Sequence, residues 1–172
     1  MNTPQLIMRH DLTEIPPMES TPPYIVRPLR SEDLSPLSQT ITEAFEDPSW
    51  TEERCRSEFV ANPSVPITFV AIHPVDGVVA TSSCQVLMGQ PYVHMVAARS
   101  SHKGKGLGLA VVTHCLQWHR ENGATEVFLS TDDHRLAAIT TYLRLGFRPH
   151  LTAPEHELRW NRVLEAIASR RP

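Results

Sequence analysis

The segment from Tyr92 to Gly108, YVHMVAARSSHKGKGLG, limits this chain to folds in which a strand feeds a helix through a tight glycine turn. Tyr92 to Ala98 is a short apolar run with strand character. Lys103-Gly104-Lys105-Gly106-Leu107-Gly108 is basic and glycine-punctuated, and helical spacing follows from about Gly106 to Glu121, before Asn122-Gly123. Glycine lets the main chain turn sharply and approach a ligand closely, because it carries no Cβ. The first turn of a helix has N–H groups without intrahelical partners, at the positive end of its dipole. Together these form a socket for a phosphate or diphosphate, with Lys103 and Lys105 adding mobile charge.

Two common phosphate motifs do not fit. The dinucleotide fingerprint G-x-G-x-x-G meets Leu109 when started at Gly104, and Val111 when started at Gly106. No glycine stands five residues before a Gly-Lys-Ser/Thr triplet, so the P-loop is excluded. The pattern that does fit is basic-x-x-Gly-x-Gly. Downstream, residues 132–147 read DDHRLAAITTYLRLGF, with Ala138, Ile139, Tyr142, Gly146 and Phe147 as its distinctive positions. On these two motifs, in order and separated by a helix and a strand, the chain resembles the GNAT superfamily of acyl-CoA-dependent N-acetyltransferases. The resemblance covers about residues 24–147 loosely and 92–147 well. Lys103 stands where the family prefers Arg or Gln, keeping the charge without the forked geometry. Arg135 stands where the family often has Asn.

The resemblance implies an α+β fold: a mixed, mostly antiparallel central sheet, splayed at its middle, with helices on both faces. It implies acetyl-CoA as cosubstrate, its diphosphate held by Lys103, Gly104, Lys105, Gly106, Leu107 and Gly108. The main chain of Val96, Ala97 and Ala98 would face the pantetheine, with Arg135 also on the cofactor side. Tyr142 takes the place of a general acid near the thioester sulfur, although its helical spacing from Ile139 equally suits a packed core residue. Some family members carry a Glu or His on the strand where Tyr92 and His94 stand. His94 has a suitable reference pKa for a base, and a half-buried structural histidine is the alternative. By the two-residue period of a strand, Tyr92, His94, Val96 and Ala98 share one face.

Composition narrows the class further. A chain of 172 residues buries roughly 70% of its unfolded surface, enough for one core without staples. The formal net charge of −3 makes a nucleic-acid partner unexpected. No apolar run approaches 18 residues, so no membrane span is expected. The start, MNTPQLIMRHDL, lacks a basic leader followed by an apolar stretch, so no secretory signal is expected. Cys55, Cys84 and Cys115 are odd in number and widely spaced, which suits reduced thiols in the cytoplasm. Among nine histidines, His114 and His119 are five positions apart, the wrong offset for one helix face. With no H-E-x-x-H and no C-x-x-C, no metal is expected. The absence of G-x-S-x-G removes the commonest serine-hydrolase pattern.

Along the chain, residues 1–22 contain Pro4, Pro16, Pro17 and Pro22 and read as a tail; residues 23–172 read as one domain. Strands are expected at Tyr24–Arg27, Pro66–Ile72, Val78–Met88, Tyr92–Ala98 and Glu126–Thr131. Leu34, Leu37, Ile41, Ala44 and Phe45 recur at helical spacing up to Pro48, and Thr51 suits the N-cap of a second helix ending near Ala61. Asp132 or Asp133 would cap the helix that stops at Gly146. The end is ambiguous: Phe147–Leu151 reads as a strand and about 155–168 as a charged helix. The family usually ends in two strands, so at least one is replaced here. Glu43, Glu46, Asp47, Glu52 and Glu53 lie where the family's acceptor side sits. They suit either attraction of a cationic amine or a solvated face. The expected activity is acetyl transfer to a small-molecule or peptide amine, with a non-catalytic acyl-CoA-binding regulatory module as the alternative and a homodimer left open.

Overall fold

The computed structural model describes residues 4–19 and 21–170. Its centre is a seven-stranded sheet: β1 (Leu6–His10), β2 (Ile25–Pro28), β3 (Ile67–His73), β4 (Gly77–Leu87), β5 (Gln90–Ala98), β6 (Val127–Thr131) and β7 (Arg148–His150), in the order β2-β3-β4-β5-β6-β1-β7. Five helices accompany it: α1 (Leu34–Phe45), α2 (Glu52–Arg56), α3 (Leu107–Glu121), α4 (Leu136–Leu145) and α5 (Pro154–Ala168). Every neighbouring strand pair is antiparallel except β5 and β6, which run parallel and meet only at Tyr92 and Phe128. The sheet is thus splayed at its middle.

The helical periods show in the packing. Leu34, Leu37 and Ile41 of α1 recur three and four residues apart, all fully buried, and join Cys55, Phe59, Val70, Val78 and Ala97 in one apolar layer. A larger layer gathers Val112, Cys115 and Leu116 of α3, Ile139, Tyr142 and Leu145 of α4, and Trp160, Val163 and Ile167 of α5. Thr51 caps α2 as expected, its hydroxyl accepting from Arg54 N at 3.2 Å. The expected helix to Ala61 changes pitch, since Ser57–Ala61 continues as a π-helical segment.

The N-terminal reading needs correction. Within the segment expected as a tail, Leu6–His10 forms β1, inserted between β6 and β7 with both pairings antiparallel. Leu6, Met8 and His10 point inward at 0%, 0% and 2% exposure, while Ile7 and Arg9 face outward. This is the period-two pattern of a half-buried strand, obscured by prolines on both sides. The ambiguous end resolves into both elements, β7 and then α5. The sheet is completed by one strand from each end of the chain rather than by two from the C-terminus.

Asp132 and Asp133 do not cap α4, whose N-cap is Arg135 with no side-chain cap bond. Asp133 instead accepts a forked pair from Arg159 of α5, at 2.5 and 3.1 Å, and Asp132 accepts from the Gln5 amide at 3.2 Å. The helix that the sequence leaves ambiguous competes for the capping carboxylate with a bidentate guanidinium, the stronger donor. Among the described residues, no helix is long and apolar enough to cross a membrane.

Candidate active site

The split between β5 and β6 opens a cleft of about 380 Å³, lined by Tyr92, Val93, His94, Met95 and Val96 from β5, and Leu129 and Ser130 from β6. Phe45, Gln85, Leu87, Arg135, Tyr142 and Gln5 complete its wall. Five consecutive residues of β5 reach this cleft because the strand is interrupted. Met95 adopts φ +51°, and Ser82 faces an extra residue where the β4–β5 register shifts from Ser83↔His94 to Thr81↔Ala97. This is a β-bulge, which frees main-chain donors and re-aims side chains.

The bulge corrects the strand-face expectation. An extra residue reverses the two-residue alternation. Val93 and Val96 pack in the layer with α3 and α4, whereas Met95 and Ala97 join the layer with α1 and α2. Val96 and Ala98 therefore do not share a face with Tyr92 and His94.

After β5, a 3-10 turn at Ser100–His102 leads into the glycine loop. Lys103, Gly104, Lys105 and Gly106 are all exposed. Gly104 and Gly106 have φ of +78° and +72°, the left-handed region that glycine enters without strain. A Cβ built on either would meet no atom within 4 Å outside its chain neighbours, so both glycines face open space. Gly106 is the N-cap of α3, whose first intrahelical bond runs from Ala110 N to Gly106 O at 2.9 Å. The amides of Leu107, Gly108 and Leu109 thus lack intrahelical acceptors. Glu43 of α1 anchors the loop's entrance by accepting from Ser100 N at 2.9 Å and Ser100 Oγ at 2.7 Å. Those two bonds hold its carboxyl below the usual range.

The titratable groups of the cleft separate into two protonation states. Burial pushes the Tyr142 hydroxyl up to about 12, with Arg135 opposing, so it keeps its proton at neutral pH. Burial lowers His94, with the Glu58 charge pulling the other way, so its imidazole is neutral there. Arg135 lays its guanidinium over the Phe45 ring, 4.6 Å from the centroid, linking the start of α4 to the end of α1 across the cleft.

The cleft brings together His94, Val96, Arg135 and Tyr142. Ala97 is buried beside α1, Ala98 lies at the exposed end of β5, and residues 103–108 form the separate socket at the start of α3. Most of the acidic set is occupied internally. Besides Glu43, Asp47 accepts from Ser49 N, and Glu52 pairs with Arg56. Sequence reasoning missed Phe45, Gln85 and Glu58, which belong to other elements and carry no short-range signal.

Comparisons with known proteins agree with this geometry. The model of the Acetyltransferase (GNAT) family matches residues 29–147. YobR of Bacillus subtilis (strain 168), an uncharacterized N-acetyltransferase, is 30% identical over 95 residues, covering 55% of this chain and 37% of that protein. N-acetyltransferase 8B of Rattus norvegicus is 40% identical over 53 residues, 31% of this chain and 24% of that one. This chain therefore spans well under half the length of these curated relatives. Among solved structures, a GCN5-related N-acetyltransferase from Sphaerobacter thermophilus superposes with a TM-score of 0.70 at 25% identity, covering 86% of this chain and 50% of that chain. A Trypanosoma brucei acetyltransferase gives a TM-score of 0.62 at 23% identity over 76% of this chain and 96% of that one, a likeness of fold.

Proposed function

This chain belongs to the acetyltransferase (GNAT) family, and from that premise we propose that it moves an acetyl group from acetyl-CoA to a primary amine by direct attack in a ternary complex. The observation that carries the proposal is the pairing of two features at the two ends of the β5–α3 segment. An open, cationic glycine loop stands at the head of α3, and the splayed β5–β6 cleft holds one neutral imidazole and one protonated phenol.

The protein's groups fit the cosubstrate. The unpaired amides at the start of α3, with Lys103 and Lys105, suit a diphosphate. The bulged β5 main chain around Val96 lies on the cleft where β5 and β6 have separated. Ala97 and Ala98 prolong that edge, and Arg135 lies on the side of α4. Bound acetyl-CoA supplies the activated acyl thioester; the protein's part is to orient it and manage protons.

A lysine-like amine of pKa near 10.4 is only about one part in ~2,500 neutral at pH 7. His94 Nδ1 or Nε2, unprotonated at that pH, accepts the proton that the attacking amine must lose. Tyr142 gives its hydroxyl proton to the departing sulfur, which leaves as the thiol, and the proton that His94 took from the amine returns through solvent to the Tyr142 phenolate. Burial serves both groups, because it disfavours imidazolium and phenolate alike. The acceptor is a small-molecule or peptide amine, and three buried free thiols suit a reducing compartment such as the cytoplasm.

A thiol-release assay with acetyl-CoA and a panel of amines tests the reading. Amine-dependent thiol release that His94→Gln and Tyr142→Phe both reduce is the expected result. Tight acetyl-CoA binding without thiol release for any amine class favours the non-catalytic acyl-CoA-binding alternative.

A further inference from the structure

We propose that His73, Asp76 and His102 form a site for a divalent cation of the zinc class, at the root of the glycine loop. His73 closes β3, Asp76 lies in the turn before Gly77, and His102 ends the 3-10 turn next to Lys103. One ligand atom from each lies within 4.8 Å of the others. His73 Nδ1 stands 2.8 Å from Asp76 Oδ2, and His102 Nε2 stands 3.2 Å from the same oxygen. Zinc holds such donors at about 2.0–2.2 Å, so tetrahedral neighbours are about 3.3–3.5 Å apart. The two nitrogen–oxygen separations reach that range when they lengthen by roughly 0.1–0.7 Å.

The contacts around the cluster orient both imidazoles on Asp76. The amides of Val75 and Asp76 lie 3.4 and 3.3 Å from His73 Nδ1 and hold that edge of the ring against the turn that carries Asp76. A metal ion between His73 Nδ1 and Asp76 Oδ2 takes the place of the proton that the two otherwise share at 2.8 Å. On the other ring, His102 Nδ1 is 2.9 Å from the Tyr24 hydroxyl. When Nδ1–H donates to that oxygen, Nε2 turns its lone pair toward Asp76. An outer hydrogen bond that fixes the tautomer is the usual support of a histidine ligand. The side chains of His102 and His73 are 9% and 21% exposed and that of Asp76 43%, leaving one side open. Two imidazoles, one carboxylate and an open position match zinc's three-ligand sites.

Bound there, the ion clamps the β3–β4 turn to the segment entering Lys103. The spacing 73, 76 and 102 matches no linear metal motif, because β4 and β5 intervene between the second ligand and the third. The proposal does not depend on acetyl transfer, and its readout is metal binding alone.

The test uses the full chain without an affinity tag, stripped by a chelator and titrated calorimetrically with Zn²⁺. One ion per chain is expected. Asp76→Asn and His102→Gln should each weaken binding at least 100-fold. Tyr24→Phe, which removes no ligand, should weaken it roughly 10–100-fold, and His134→Gln should leave it unchanged. Co²⁺ on the unmutated chain should show the visible absorption of a four- or five-coordinate ion, an outcome that needs no variant to fold. Absence of stoichiometric Zn²⁺ binding, unchanged affinity in Asp76→Asn and His102→Gln, or an octahedral water-like Co²⁺ spectrum would each overturn the site.

Discussion

Replacing Gly106 by asparagine and, separately, by aspartate isolates the charge of the loop from its shape. Gly106 has φ +72°, and its missing Cβ faces open space. Asparagine and aspartate are the side chains that best tolerate the left-handed region. Each variant therefore carries a similar backbone cost of about 1 kcal/mol and leaves the fold intact. The two differ by one negative charge at the helix terminus. If a diphosphate carrying about two charges binds roughly 5 Å away, Coulomb repulsion costs about 1.7 kcal/mol at a dielectric of ~80 and about 3.3 at ~40. The aspartate variant should thus bind acetyl-CoA roughly 15- to 250-fold more weakly than the asparagine variant. Calorimetric titration at low ionic strength measures the ratio, and it should shrink at high salt as the Debye length falls. Equal affinities for the two variants at low salt would refute the socket, whatever their common difference from the unmutated protein.

Tyr142→Phe should lower kcat by up to about 10²-fold with little change in acetyl-CoA affinity, since it removes a proton donor and keeps the packed ring; steady-state kinetics with both substrates checks this. His94→Gln should flatten the acidic limb of the kcat/KM profile, which the lowered pKa of His94 places below about 6.5. Met8→Ala should destabilise by about 2–5 kcal/mol, because the side chain is fully buried on a strand paired on both sides; denaturant unfolding measures it. Folding should also weaken in acid in a defined window. His10, His94 and His119 all have pKa values lowered chiefly by burial, so the folded state binds fewer of these protons than the unfolded state. Their contribution is complete above about pH 6.5 and is lost as pH falls from there through the folded values. A midpoint temperature constant from pH 7.5 to 5 would contradict it.

His10 illustrates what tertiary contact adds to a residue that looks unremarkable in sequence. Its Nδ1 accepts from Leu12 N at 2.9 Å, so its Nε2–H donates to Leu145 O at 2.9 Å, closing the end of α4. Gly146 is required beside it, at φ +101°, since a Cβ there would come within 3.0 Å of Nε2. The sequence marks Gly146 as a helix stop. The ring it must accommodate lies 136 positions earlier, which no local pattern can report.

The local code of the chain was sufficient wherever neighbours in sequence supply the energy. Glycines with free φ, the helical repeat of Leu34, Leu37 and Ile41, the Thr51 cap and the strand-loop-helix run to Gly108 depend on contacts within a few residues. They were readable, as were the family motifs built upon them. Long-range pairing decided the rest. β1 is held between two strands from the far end of the chain, and the bulge at Met95 reverses the faces of β5. Asp133 is claimed by Arg159, and His73, Asp76 and His102 converge although β4 and β5 lie between them. Periodicity reports which face of a segment is apolar; only the competition among folded partners determines what each face and each charge meets.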